Sequence, residues 1–190
     1  TAFVLFFVLD DGFAMLPFFF IPLETAAARA KKDGVKYLQW LEDDLIIGTE
    51  GDVTDYDIVY RFIIEQSEKY KIKAINYDRW NSSDLVNRLT EQGAPLHPFG
   101  QGFRSMAGPT HEFERMALKG DLKHFNNPVF DWMLQNVQIE RNPDDQIKLN
   151  KKKSREKIDG PVALMNAMGA WLSDTEDDGT LDDDYEIVFS

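Results

Sequence analysis

The chain opens on two nearly continuous apolar runs, residues 2–9 and 14–21, separated by Asp10-Asp11-Gly12. Runs of this length, rich in Phe, Val and Ile and joined through an Asp-Gly step, predict a β-hairpin. Neither run is a membrane span. A spanning helix needs about 20 apolar residues, whereas the first run lacks a basic flank and breaks at Asp10.

Beyond the hairpin the period changes. Residues 24–32 are Ala-rich and predict a helix that stops before Gly34, and residues 45–49 predict a third strand. Ile58 and Phe62 share one face of a predicted helix over 55–69, with Thr54 or Asp55 as its cap. A short buried strand over 72–77 ends at Asp78. Asn81-Ser82-Ser83 then caps a helix over 84–92 that Gly93 terminates. Residues 95–99 predict another strand and 100–108 a polar, glycine-containing loop, with Pro109 or Thr110 opening a helix to about residue 119. A helix over 126–136 turns Trp132 and Met133 inward. A second hairpin pairs 137–140 with 146–149 around Asn142-Pro143-Asp144-Asp145. The last helix, 158–172, carries Leu164, Met165 and Met168 at helical spacing. Strands leading, then alternating with helices, predict an α/β fold: a mixed sheet with helices packed on it.

Length and composition fit one domain with a real core: 190 residues, 43% hydrophobic. The absence of cysteine excludes disulfides and Cys-based zinc sites and suits a reducing, intracellular setting. The net charge of −12 argues at first against a nucleic-acid partner, but it is unevenly placed. Residues 171–190 hold eight acids and no Lys or Arg, leaving −4 for the rest, within which sits the basic run Lys151-Lys152-Lys153 with Arg155 and Lys157. Local patches decide phosphate binding. The acidic end, 174–190, reads as a flexible tail.

Two acids stand at positions suited to chemistry. Asp78 ends a buried strand, where open α/β sheets place ligands, and Asp159 opens the last helix. Carboxylates converging from different elements supply the hard oxygen ligands that metal-assisted phosphodiester cleavage requires. Each has an ordinary alternative, as a turn residue or as a helix cap beside Pro161. The basic run is equally a DNA-backbone contact or a solvated loop, and Arg104 a phosphate contact or a surface arginine. His97, His111 and His124 fit no zinc spacing. Trp40, Trp80, Trp132 and Trp171 read as core, and no P-loop is present.

Five phrases in order, FFFIP (18–22), YDRWN (77–81), FGQGFRSM (99–106), NPVFDWMLQNV (127–137) and KIDGPVALMNAMG (157–169), resemble the large terminase subunits of tailed phages, over nearly the whole chain up to Leu172. The resemblance implies an RNase H-like mixed sheet flanked by helices, with an extra β-hairpin before the last helix. Residues 1–173 would form the nuclease domain and 174–190 the tail. It implies a two-metal Mg²⁺ or Mn²⁺ site, with Asp78 and Asp159 as catalytic ligands and Glu156 as a weaker third. Arg79, Arg104, Lys151, Lys152, Lys153, Arg155 and Lys157 would face DNA. The implied partners are double-stranded DNA, an ATPase domain of the same polypeptide, the small terminase subunit and the portal, with no membrane, in the host cytoplasm at the procapsid. One departure stands out: the family's first metal ligand is an Asp of the first strand, upstream of the phrase that begins here at Thr1. A catalytically incomplete module that docks DNA, portal or small subunit is therefore the competing expectation. Another RNase H-like enzyme, such as a resolvase core, fits FGQGFRSM and NPVFDWMLQNV less well.

Overall fold

The computed structural model describes residues 1–78 and 83–178. Strands β1 (Ala2–Leu9) and β2 (Gly12–Pro22) form the expected antiparallel hairpin, in register from Ala2↔Phe19 to Leu9↔Gly12. Both faces of the hairpin are covered, which is why its strands are apolar throughout rather than alternating. Val4, Met15, Phe19 and Ile21 face one core, and Phe3, Phe18 and Phe20 face a second. On its other edge β2 pairs in parallel with β6 (Leu122–Lys123) near its start and with β3 (Ile47–Thr49) near its end. Gly12, at φ 138°, permits the first of these pairings: Phe13 N–H donates to the Asp121 carbonyl at 2.9 Å, and a Cβ on Gly12 would stand 2.6 Å from that oxygen.

Helices α1 (Leu23–Asp33) and α2 (Tyr37–Glu42) lead from β2 to β3, and α3 (Tyr56–Lys69) and α4 (Ser83–Glu91) build the second core with Val59, Ile63 and Leu89. Asp55 caps α3 as expected, accepting from Asp57 N–H at 2.8 Å. Strands β4 (Ile75–Asp78) and β5 (Leu96–Phe99) form a separate parallel pair. The first core is closed by α5 (Phe103–Lys119), α6 (Pro128–Gln135) and α7 (Asp159–Asp178). The hairpin β7 (Ile139–Arg141) and β8 (Ile147–Leu149) stands before α7, as the resemblance implied.

Three expectations need correction. Residues 103–108 are the first turns of α5, not loop, and Pro109 lies inside that helix. A mid-helix proline costs about 3 kcal/mol, yet Met106, Ala107, Thr110 and Met116 are buried on the same helix, so tertiary burial outweighs it. Helix α2 and strand β6 were not legible, being too short to show a period. Helix α7 runs on to Asp178, past the expected boundary at residue 173. The remainder of the expected tail, 179–190, lies outside the described residues.

Helix α7 is the axis of the domain. Leu164, Met165 and Met168 are fully buried, and the helix packs across both β1 and β4. Two glycines allow its close approach: a Cβ on Gly160 would meet the Phe19 ring at 2.9 Å, and one on Gly169 would overlap the Phe99 ring. Among the described residues no helix is long and apolar enough to cross a membrane.

Candidate active site

A groove of about 740 Å³ separates β1 from β4. Helix α7 walls it on one face of the sheet, and α3 and α4 wall it on the other. Asp78 and Asp159, 81 positions apart in sequence, both line it, with Thr1 and Lys151. Asp78 reaches the groove as the last residue of β4, paired in register with Phe99 of β5, and is half-buried. Asp159 is held by its neighbours. Ile158, Gly160 and Pro161 are buried, Pro161 sits in the first turn where its missing N–H costs nothing, and the carboxylate is left at the mouth of α7.

The electrostatics around Asp159 favour its charge. Its carboxylate lies 3.3 Å from Lys151 Nζ and 3.8 Å from the Thr1 ammonium. Burial pushes its pKa up, but these two cations outweigh burial and hold it below the usual carboxylate value. Lys151 is placed by a tight turn after β8, in which Asn150 Oδ1 accepts from Lys152 N–H at 2.9 Å and from Lys153 N–H at 3.1 Å. The basic residues are therefore displayed together, and Lys151, Lys152, Lys153, Arg155 and Lys157 are all exposed. Lys148 Nζ, on β8, stands 4.8 Å over the Phe103 ring.

Not every candidate arrives. Glu156 is exposed and does not line the groove; its charge bears instead on Tyr37, whose hydroxyl is pushed up first by burial and then by Asp33. Arg104 is exposed in the first turn of α5, away from the groove lining. Arg79 lies outside the described residues. Asn166 was overlooked in the sequence. Seven residues after Asp159, two helical turns on, it is buried in the groove wall and accepts from Gln101 Nε2 at 3.1 Å. A lone Asn in an otherwise apolar helical stretch was the available signal.

Two carboxylates are hard oxygen donors of the kind Mg²⁺ or Mn²⁺ takes, and Mg²⁺ commonly uses one or two of them, keeping waters and substrate phosphates as its other ligands. The donor chemistry fits, though among the described residues no three His, Asp or Glu stand together as a metal cage.

A mixed sheet with helices on both faces, an inserted hairpin before a long last helix, and acids at a strand end and a helix start that line one groove define an RNase H-like α/β domain. The chain belongs to the family of terminase large subunits, as their endonuclease domain: the family model matches residues 1–175. It is 32% identical over 187 residues to the terminase large subunit of Enterobacteria phage HK97, covering 96% of this chain and 37% of that protein. It is 29% identical over 185 residues to protein YmfN of Escherichia coli K12, covering 92% and 39% respectively. The crystal structure of the HK97 bacteriophage large terminase superposes with a TM-score of 0.79 at 30% identity, over 85% of this chain and 34% of that one. The chain thus spans less than two-fifths of the length of these relatives.

Proposed function

We propose that this domain is a divalent-metal-dependent endonuclease that cuts concatemeric double-stranded viral DNA during genome packaging. The observation that supports the reading is that Asp78 and Asp159 line one groove, with Lys151 3.3 Å from Asp159. Asp78 and Asp159 would hold Mg²⁺ or Mn²⁺ in a two-metal site, and bound metal supplies an activated water and stabilises the leaving oxygen. The chain's own residues do the rest. Asp159 stays ionised and so available as a ligand. Lys151, Lys152, Lys153, Arg155 and Lys157 neutralise backbone phosphates, with Arg79 and Arg104 as further candidates. Phosphate contacts carry little sequence information, so cutting should be weakly sequence-specific and strongly salt-dependent. The remaining ligand would be the Asp expected upstream of Thr1. An ATPase domain of the same polypeptide, the small terminase subunit and the portal are the proposed partners, at the procapsid in the host cytoplasm.

The test is plasmid cleavage with Mg²⁺ or Mn²⁺ by this chain, by a version extended upstream of Thr1, and by Asp78→Ala in each. Cleavage that requires Asp78 supports the nuclease. The two-acid donor set favours a second reading, a docking module that binds DNA, portal or small subunit without cutting. DNA binding with no cleavage by either version, with either metal, would establish that reading instead.

A further inference from the structure

The segment Phe99-Gly100-Gln101 ties the strand that pairs with Asp78 to the helix that Asp159 opens. Phe99 pairs in register with Asp78, and its ring lies over Gly169 of α7, where a Cβ would overlap it. Two residues on, Gln101 Nε2 donates to Asn166 Oδ1 of α7 at 3.1 Å and, over a longer 3.5 Å, to the Phe99 carbonyl. Asn166 and Gly169 are three positions apart in the helix, so both contacts fall on one side of α7. The end of β5 is thus held to α7 at two adjacent points, one apolar and one polar. Asp78 sits beside the held end, and Asp159 lies two helical turns before Asn166.

The polar point is the one that packing does not explain. Asn166 is 8% exposed, in a helix whose neighbouring buried positions are Leu164, Met165 and Met168. Stability alone does not call for an amide pair there, because replacing both partners of a buried hydrogen bond by apolar groups of like shape is nearly neutral or even stabilising. Apolar contact, including that of α7 with β4, is non-directional, whereas a hydrogen bond fixes both distance and angle.

We propose that Gln101 and Asn166 are positioning residues for the metal site. Their hydrogen bond fixes β5, and Asp78 with it, against the helix that presents Asp159, and so sets the separation of the two carboxylates. The inference rests on the nuclease reading. Two metals about 3.5–4 Å apart leave little latitude in where their carboxylates stand. Changing the groups that orient metal ligands typically costs about 10–100-fold in metal affinity or activity.

The test takes whichever polypeptide of the cleavage assay cuts DNA with Mn²⁺ and compares it with Gln101→Leu, Asn166→Leu and the double variant. Calorimetry reads Mn²⁺ affinity without DNA, plasmid cleavage reads kcat and KM, and thermal melts read stability. Gln101→Leu strands the buried Asn166 amide and should lower the melting temperature, whereas the double variant should return to within about two degrees of the parent. Mn²⁺ affinity and kcat should nonetheless stay down by about tenfold or more in the double variant. KM for DNA should change little, because the Asn150 turn that displays the basic residues is untouched. Mn²⁺ affinity and kcat that recover together with the melting temperature would overturn the proposal and leave the pair a packing contact, with the nuclease reading intact. Failure of every parent polypeptide to bind Mn²⁺ and to cut would overturn both.

Discussion

Lys151 Nζ stands 3.3 Å from the Asp159 carboxylate, across the mouth of the groove that Asp78 also lines. The contact joins the basic turn after β8 to the start of α7. It gives Asp159 a cation partner at a position where the proposed metal would compete for the carboxylate and a DNA phosphate for the ammonium. The Lys151 side chain is 50% exposed and that of Asp159 32%, so the pair is worth little to stability, about 0–1 kcal/mol by the usual range for such pairs.

Lys151→Gln should therefore leave the melting temperature within a degree or two, while weakening DNA binding and reducing the slope of log affinity against log salt by roughly one. Fluorescence anisotropy with a duplex at several salt concentrations reads both quantities. An unchanged slope would make Lys151 a bystander to the DNA backbone.

Gly169→Ala sets two effects against each other. Alanine in place of a helical glycine gains up to about 1 kcal/mol of helix propensity, whereas overpacking costs typically 1–3 kcal/mol. The added methyl would overlap the Phe99 ring, and Phe99 is paired in register with Asp78. Net destabilisation is expected, together with reduced cleavage in any version of the polypeptide that cuts. Thermal melts and plasmid assays on the same preparation check both, and a rise in melting temperature would mean that the ring yields freely.

Acid stability should depend on Asp57. Its carboxylate accepts from Arg88 at 2.7 Å and pairs with Arg61 at 3.0 Å, and the Arg88 hydrogen bond is the main cause that holds its pKa below the ordinary value. A carboxyl depressed in the folded state contributes stability that is present above its unfolded pKa of about 3.9 and is lost as the pH falls through the folded value. Asp57→Asn should therefore lower stability at neutral pH and flatten the decline below about pH 4. Urea melts between pH 2 and pH 7 would reveal parallel curves if the pairing contributes nothing.

Much of the fold was legible because its signals are local. The hairpin of β1 and β2 is written in two apolar runs around Asp10-Asp11, and the α3 cap in Asp55; the Asn127 cap of α6, which accepts from Val129 and Phe130 N–H, went unread. Where local and tertiary forces disagree, the local reading failed. Pro109 and the glycines around it argue for a loop, yet Met106 and Met116 bury α5 against the rest of the first core.

The candidate site divides in the same way. The sequence by itself determined which residue types were available: Asp78 at a strand end, Asp159 at a helix start, a basic run between the second hairpin and α7, and the phrases that mark the terminase family. Only the tertiary structure decided which of them meet. It brought Asp159 and Lys151 into the groove with Asp78, left Glu156 and Arg104 outside it, and buried Asn166 in its wall. The reason is physical. Capping, turn formation and periodicity act between residues a few positions apart, whereas the groove exists because α7 packs across β1 and β4, whose order in space no local pattern encodes.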